Sequence, residues 1–135
     1  MFVYKYPYVV VTMRSAFYFY GLTDVIPDKC DLATTRDATK IKDERVKQYF
    51  IFYGFFEEGI EPVDYKGYEI RIYNKERMLI ELVRYKSKLP FDYYKEIILG
   101  YRKLVPSLDM QKIQDYALKS PKSNKVIEII EMEVL

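Results

Sequence analysis

The stretch from Gly67 to Arg102 constrains this chain most, because it prescribes a strand, a capped helix, a turn and a second helix in that order. Tyr68, Ile70 and Ile72 alternate with Glu69, Arg71 and Tyr73, the period of two expected of a strand with one face buried. Asn74 ends the strand and suits an N-cap, and Glu76 places a negative charge in the first helical turn. Met78, Leu79, Leu82 and Val83 then share one helical face, while Arg77, Glu81 and Arg84 form a charged ridge along another. Pro90 closes this segment. Phe91, Tyr94, Ile97, Ile98, Tyr101 and Val105 supply an apolar stripe for the next helix.

The remaining elements follow in order. Residues 2–11 are expected to form an extended segment interrupted at Pro7, an edge strand or entry arm. Thr12 is placed to cap a helix over Arg14–Tyr20 that ends at Gly21. A short strand is expected at Lys29–Thr34 and another at Val46–Tyr53, with a polar, mobile loop between them; seven of the eleven residues of Thr35–Arg45 are charged. Gly54 to Gly59 turns the chain, and Ile60–Tyr65 pairs with Tyr68–Tyr73 across Lys66-Gly67. Gly100, inside the second helix, costs about 1 kcal/mol relative to Ala and implies close approach of another backbone. Ser107 is expected to cap a third helix buried through Met110, Ile113 and Ala117. A fourth runs over Lys122–Leu135 with Val126, Ile127, Ile130 and Val134 inward. Strands first and helices last define an α+β class: one domain over residues 1–135, with a mixed or antiparallel sheet of about five strands, a short N-terminal helix and a C-terminal set of about four helices.

Composition narrows the chemistry. The chain has no histidine, hence no His metal ligand or general base, and its one cysteine, Cys30, allows neither an internal disulfide nor a cysteine zinc site. No catalytic residue, metal or cofactor is expected. No apolar run reaches the ~18 residues of a membrane span, so a cytoplasmic protein is expected. The fifteen tyrosines read first as packing residues with wet hydroxyls rather than as a base-stacking platform. Charge is unevenly spread. Arg71–Lys88 holds six basic residues against two acidic ones, and Val126–Leu135 carries three glutamates. The two regions could pair within the fold, or the basic one could face phosphate or an acidic partner.

Two blocks carry a family resemblance. SAFYFYGLTDVIPDK (Ser15–Lys29), with the short strand after it, resembles the opening of the C-terminal domain of AbiEi-family antitoxins. Tyr68–Arg102 is similar to that family's later block, whose strand runs into a helix with the pattern E-R-x-[LI]-x-[DE]-L-x-R. Glu76, Arg77, Leu79, Glu81, Leu82 and Arg84 match it. The resemblance spans most of Arg14 to Leu118. It implies the antitoxin of a bacterial abortive-infection toxin–antitoxin system, a phage defence usually called type IV. The C-terminal domain of such proteins is associated with neutralising a nucleotidyltransferase-like toxin. An N-terminal winged helix-turn-helix represses the operon; this chain lacks that domain, so operator DNA is expected to be reached only through it.

Candidate contact residues are Arg71, Arg77, Glu81, Arg84, Lys86 and Lys88, the 77/81/84 ridge being the sharpest constellation. Arginine makes forked bonds to carboxylate and phosphate, which suits a toxin-contact or phosphate face. The bland alternatives are an intrahelical charge ladder, or Arg77 tied to a strand-end carbonyl. A different class of function, a metal-dependent nucleic-acid enzyme, would need Asp28 and Glu69 to share an ion. A helix-turn-helix over residues 91–119 is disfavoured, because beyond Ser107 only Lys112 and Lys119 offset Asp109 and Asp115.

Overall fold

The structure, a computed structural model, describes residues 5–135. It is an α+β fold built on a five-stranded mixed sheet. In chain order the strands are β1 (Val10–Val11), β2 (Cys30–Thr35), β3 (Val46–Ile51), β4 (Ile60–Tyr65) and β5 (Tyr68–Tyr73). Their spatial order is β3-β2-β1-β5-β4. The helices are α1 (Met13–Phe19), a single turn α2 (Tyr53–Phe56), α3 (Lys75–Arg84), α4 (Phe91–Leu104), α5 (Met110–Lys119) and α6 (Ser123–Glu133).

β1 corrects the expectation of an edge strand. It lies in the middle of the sheet, antiparallel to β2 and parallel to β5, with Val9, Val10 and Val11 at most 2% exposed. An unbroken valine run is what a strand covered on both faces requires. Pro7 sits in a turn closed by Val9 N–H to the Tyr6 carbonyl, ahead of the strand, so it costs no ladder hydrogen bond. Residues 1–4 of the expected arm lie outside the described residues.

The β4–β5 hairpin has the expected register, Ile60 opposite Tyr73 through Tyr65 opposite Tyr68. Both turn residues are left-handed, Lys66 at φ 51° and Gly67 at φ 85°, the pairing that matches strand twist. Asn74 caps α3 as expected, accepting from the Arg77 N–H at 2.8 Å. Gly21, at φ 72°, terminates α1.

Several local expectations fail for identifiable reasons. The Thr12 hydroxyl points to the Met78 sulfur, and the Asp31 carboxylate takes the capping position by accepting from the Arg14 N–H at 2.9 Å. β3 stops at Ile51, because Phe52 opens the α2 turn: its carbonyl accepts from both Phe55 and Phe56. Asp109, not Ser107, caps α5, and the Ser107 hydroxyl donates back to the Leu104 carbonyl. Met110 and Phe91, expected inward, are exposed at 38% and 72%. In their place α5 buries Tyr116, whose hydroxyl accepts from Asn74 Nδ2. Gly100 does mark a close approach, but by a side chain: a Cβ there would meet Leu22 Cδ2 at 3.0 Å.

α3 is the hub. It packs on α1, α5 and α6, and every residue from Arg77 to Val83 is buried. A helix buried on all sides must also bury whatever charge it carries.

Candidate functional site

The 77/81/84 ridge is the first correction at the level of function. Arg77 is 0% exposed and Glu81 1% exposed, so neither presents a contact surface. Arg77 Nη1 donates to the carbonyls of Phe55 at 2.8 Å and Glu58 at 2.5 Å, at the end of α2. Its guanidinium lies between the rings of Phe55 and Tyr73, 3.6 and 4.1 Å from their centroids. Glu81 accepts from Arg77 at 3.2 Å and from Arg84 at 2.9 and 2.6 Å. The anchor is therefore an internal clamp, tied to the α2 turn rather than to a strand end. Gly59, at φ 85°, makes room for it, since a Cβ there would stand 2.6 Å from Arg77 Cβ.

The other expected contact residues divide. Arg71 is half-buried and donates to the Tyr8 carbonyl at 2.8 Å, binding the N-terminal segment to β5. Lys86 pairs with Glu133, which also accepts from the Tyr94 hydroxyl. Burial works upward on the Glu133 carboxyl, but hydrogen bonds from Lys86 and Tyr94 outweigh it and hold its pKa below the ordinary value. This pair realises the attraction between the basic centre and the acidic tail. Arg84 is partly exposed at the outer end of the clamp, and Lys88 is exposed.

Arg84, Lys86 and Lys88 line one wall of a cleft of about 580 Å³ between the α3–α4 connection and the start of α6. Lys122 and Lys125 line the opposite wall. Tyr85, Phe91 and Tyr94 are its aromatic surfaces, and no carboxylate residue lines it. Glu81 and Glu133 already satisfy Arg84 and Lys86, whereas Lys88, Lys122 and Lys125 enter no salt bridge among the described residues. The concentration of positive charge at Lys122 and Lys125 is not apparent from helix periodicity. The short basic run Pro121–Lys125 ahead of the acidic tail is the one signal that could have flagged it.

A second cleft of about 380 Å³ adjoins the first across the shared residues Tyr85, Lys88 and Leu89. Arg14, Lys47, Tyr49 and Phe50 add to its lining. Tyr49 meets Tyr85 edge-on at 5.6 Å, and the Arg14 guanidinium lies 4.5 Å from the centre of the Tyr93 ring. Asp31, opposite Lys47 in the β2–β3 register, is 2% exposed. Burial pushes its pKa from 3.8 up to about 6, against the Arg14 N–H and the charges of Lys47 and Arg14.

Because the folded value exceeds the unfolded one, the stability from Asp31 is full below about pH 4 and is lost as the pH rises through about 6. That displacement corresponds to roughly 3 kcal/mol. Asp31→Asn keeps an oxygen for the Arg14 N–H and cannot ionise. Its stability relative to the parent is expected to improve between pH 4 and pH 7, read by urea denaturation at both. A difference independent of pH would show that Asp31 does not titrate in this window.

Asp28 and Glu69 do not come together. Val11 lies opposite both Ile72 of parallel β5 and Leu32 of antiparallel β2. Glu69 therefore lies toward one end of the sheet, and Asp28, just ahead of Cys30, toward the other; about five residues of strand rise, on the order of 16 Å, separate Glu69 from Cys30. They cannot share an ion. Among the described residues no group of three or more His, Cys, Asp and Glu side chains is arranged to hold a metal.

No protein-family model matches the chain, and no curated protein matches it. No helix among the described residues is long and apolar enough to cross a membrane.

Proposed function

We propose that this chain is a non-enzymatic antitoxin domain of the AbiEi C-terminal type, which neutralises a nucleotidyltransferase-like toxin by engaging an anionic partner through the basic cleft. The partner is the toxin or its target. The cytoplasm is the compartment of action. The antitoxin part of this reading rests on the resemblance of Ser15–Lys29 and Tyr68–Arg102, and the contact face is supported by Lys88, Lys122 and Lys125, which enter no salt bridge among the described residues and line a cleft without a carboxylate. Local helix energetics do not account for the two on α6. Lys122 occupies the N-cap of α6 in a left-handed conformation, φ 54°, with no side-chain capping bond, and Lys125 lies in the first turn. Stability alone favours Ser or Asp at the first position and Glu in the first turn. Residues that break such rules are commonly retained for function.

Growth rescue on co-expression with the toxin tests the reading. The parent chain is expected to restore growth, and Lys88→Glu with Lys125→Glu is expected to abolish rescue while leaving expression and the fold intact. Full rescue by the double variant would remove the cleft from antitoxin activity.

A further inference from the structure

The cations of the cleft suit an anion, and the aromatic side chains beside them narrow which anion fits. We propose that the two adjoining clefts form one groove that binds a single-stranded nucleic acid without sequence preference. The proposal rests on the reading of the basic cleft as the contact face and names the partner of that face.

The groove is continuous, because Tyr85, Lys88 and Leu89 line both clefts. Arg14 and Lys47, which flank the buried Asp31, continue the line of cations past this turn toward the sheet. Each cleft also presents a phenylalanine at the surface: Phe91 is 72% exposed in the first and Phe50 43% exposed in the second. The tyrosines nearby are differently used; Tyr94 is buried, and Tyr49 and Tyr85 pack on one another. A peptide of acidic residues alone would satisfy the cations and leave both phenyl rings in water. A single strand satisfies both kinds of group, since its phosphates follow the cations while its base faces cover the rings. A duplex keeps its base faces stacked within and offers the rings nothing. The cations are mostly lysines, point charges suited to a backbone rather than the planar fork that reads a guanine edge. Sequence tolerance follows.

The test is fluorescence anisotropy of the full chain with three probes: an oligouridylate of about 12 nucleotides, within the usual span of single-strand sites, an RNA duplex of equal length, and a polyglutamate peptide. The oligouridylate is expected to bind at least tenfold more tightly than either other probe, with affinity falling steeply as salt rises. Phe91→Ala, at a position too exposed to endanger the fold, is expected to weaken binding roughly tenfold and keep the salt slope. Lys88→Glu with Lys125→Glu is expected to weaken binding and flatten that slope. Equal or tighter binding of polyglutamate or duplex, no effect of Phe91→Ala, or no binding of the oligouridylate would each overturn the proposal. The two readings fail separately. Loss of rescue in the lysine variant without oligouridylate binding leaves an acidic protein partner, whereas oligouridylate binding with rescue unaffected leaves a nucleic-acid groove unrelated to neutralisation.

Discussion

Arg77→Ala is expected to destabilise the domain by about 3–5 kcal/mol, the cost of breaking a buried ion-pair and hydrogen-bond network. Three losses coincide. Glu81, 1% exposed, keeps Arg84 but loses its interior counter-charge. The carbonyls of Phe55 and Glu58 lose their donor. Phe55 and Tyr73 lose the guanidinium packed between them. Domains of this kind are stable by about 5–15 kcal/mol, so the variant sits near the folding threshold. Urea denaturation gives the number. A change below about 1 kcal/mol, the range of exposed ion pairs, would mean the clamp is not the internal device its burial implies.

Leu82→Ala is expected to cost about 2–5 kcal/mol. Leu82 is 0% exposed on the hub helix, where α1, α5 and α6 converge, so no single neighbour can move into the space left behind. The lost transfer energy and the cavity term therefore add. Loss of stability without loss of cooperativity is the expected denaturation profile. A cost of a few tenths of a kcal/mol would show that the surrounding helices collapse onto the site.

The sequence was most legible where structure is local. The β4–β5 register follows from a two-residue Lys66-Gly67 turn between alternating strands, and the Asn74 cap from one side chain bonding three residues ahead. It was least legible where distant segments decide. A charged i, i+4 pair on a helix ordinarily faces solvent, and Arg77 does not because carbonyls 22 and 19 residues earlier come to meet it. β1 pairs over only two residues, so its one signal of a central strand was the valine run Val9–Val11, outweighed in the reading by Pro7 just ahead of it. Arg84, Lys86 and Lys88 were visible as basic residues, but the cleft they line needs Lys122 and Lys125 from α6. Arg14 and Lys47 come from still other elements. A site assembled from four separated stretches leaves no contiguous motif to read.

The central claim is that the Arg77–Glu81 pair is internal structure while Lys88 and Lys125 belong to a contact face. Thermal melts of two charge-reversed variants, side by side with the parent, test it most directly. Lys88→Glu with Lys125→Glu is expected to melt within roughly 4 °C of the parent, since exposed substitutions usually change stability by about 0.5 kcal/mol or less. Arg77→Glu with Arg84→Glu is expected to show no cooperative transition, because it buries a new carboxylate at position 77 beside Glu81 and removes both cations that pair Glu81. A cooperative melt near the parent's for the arginine variant, or collapse of the lysine variant, would contradict the account.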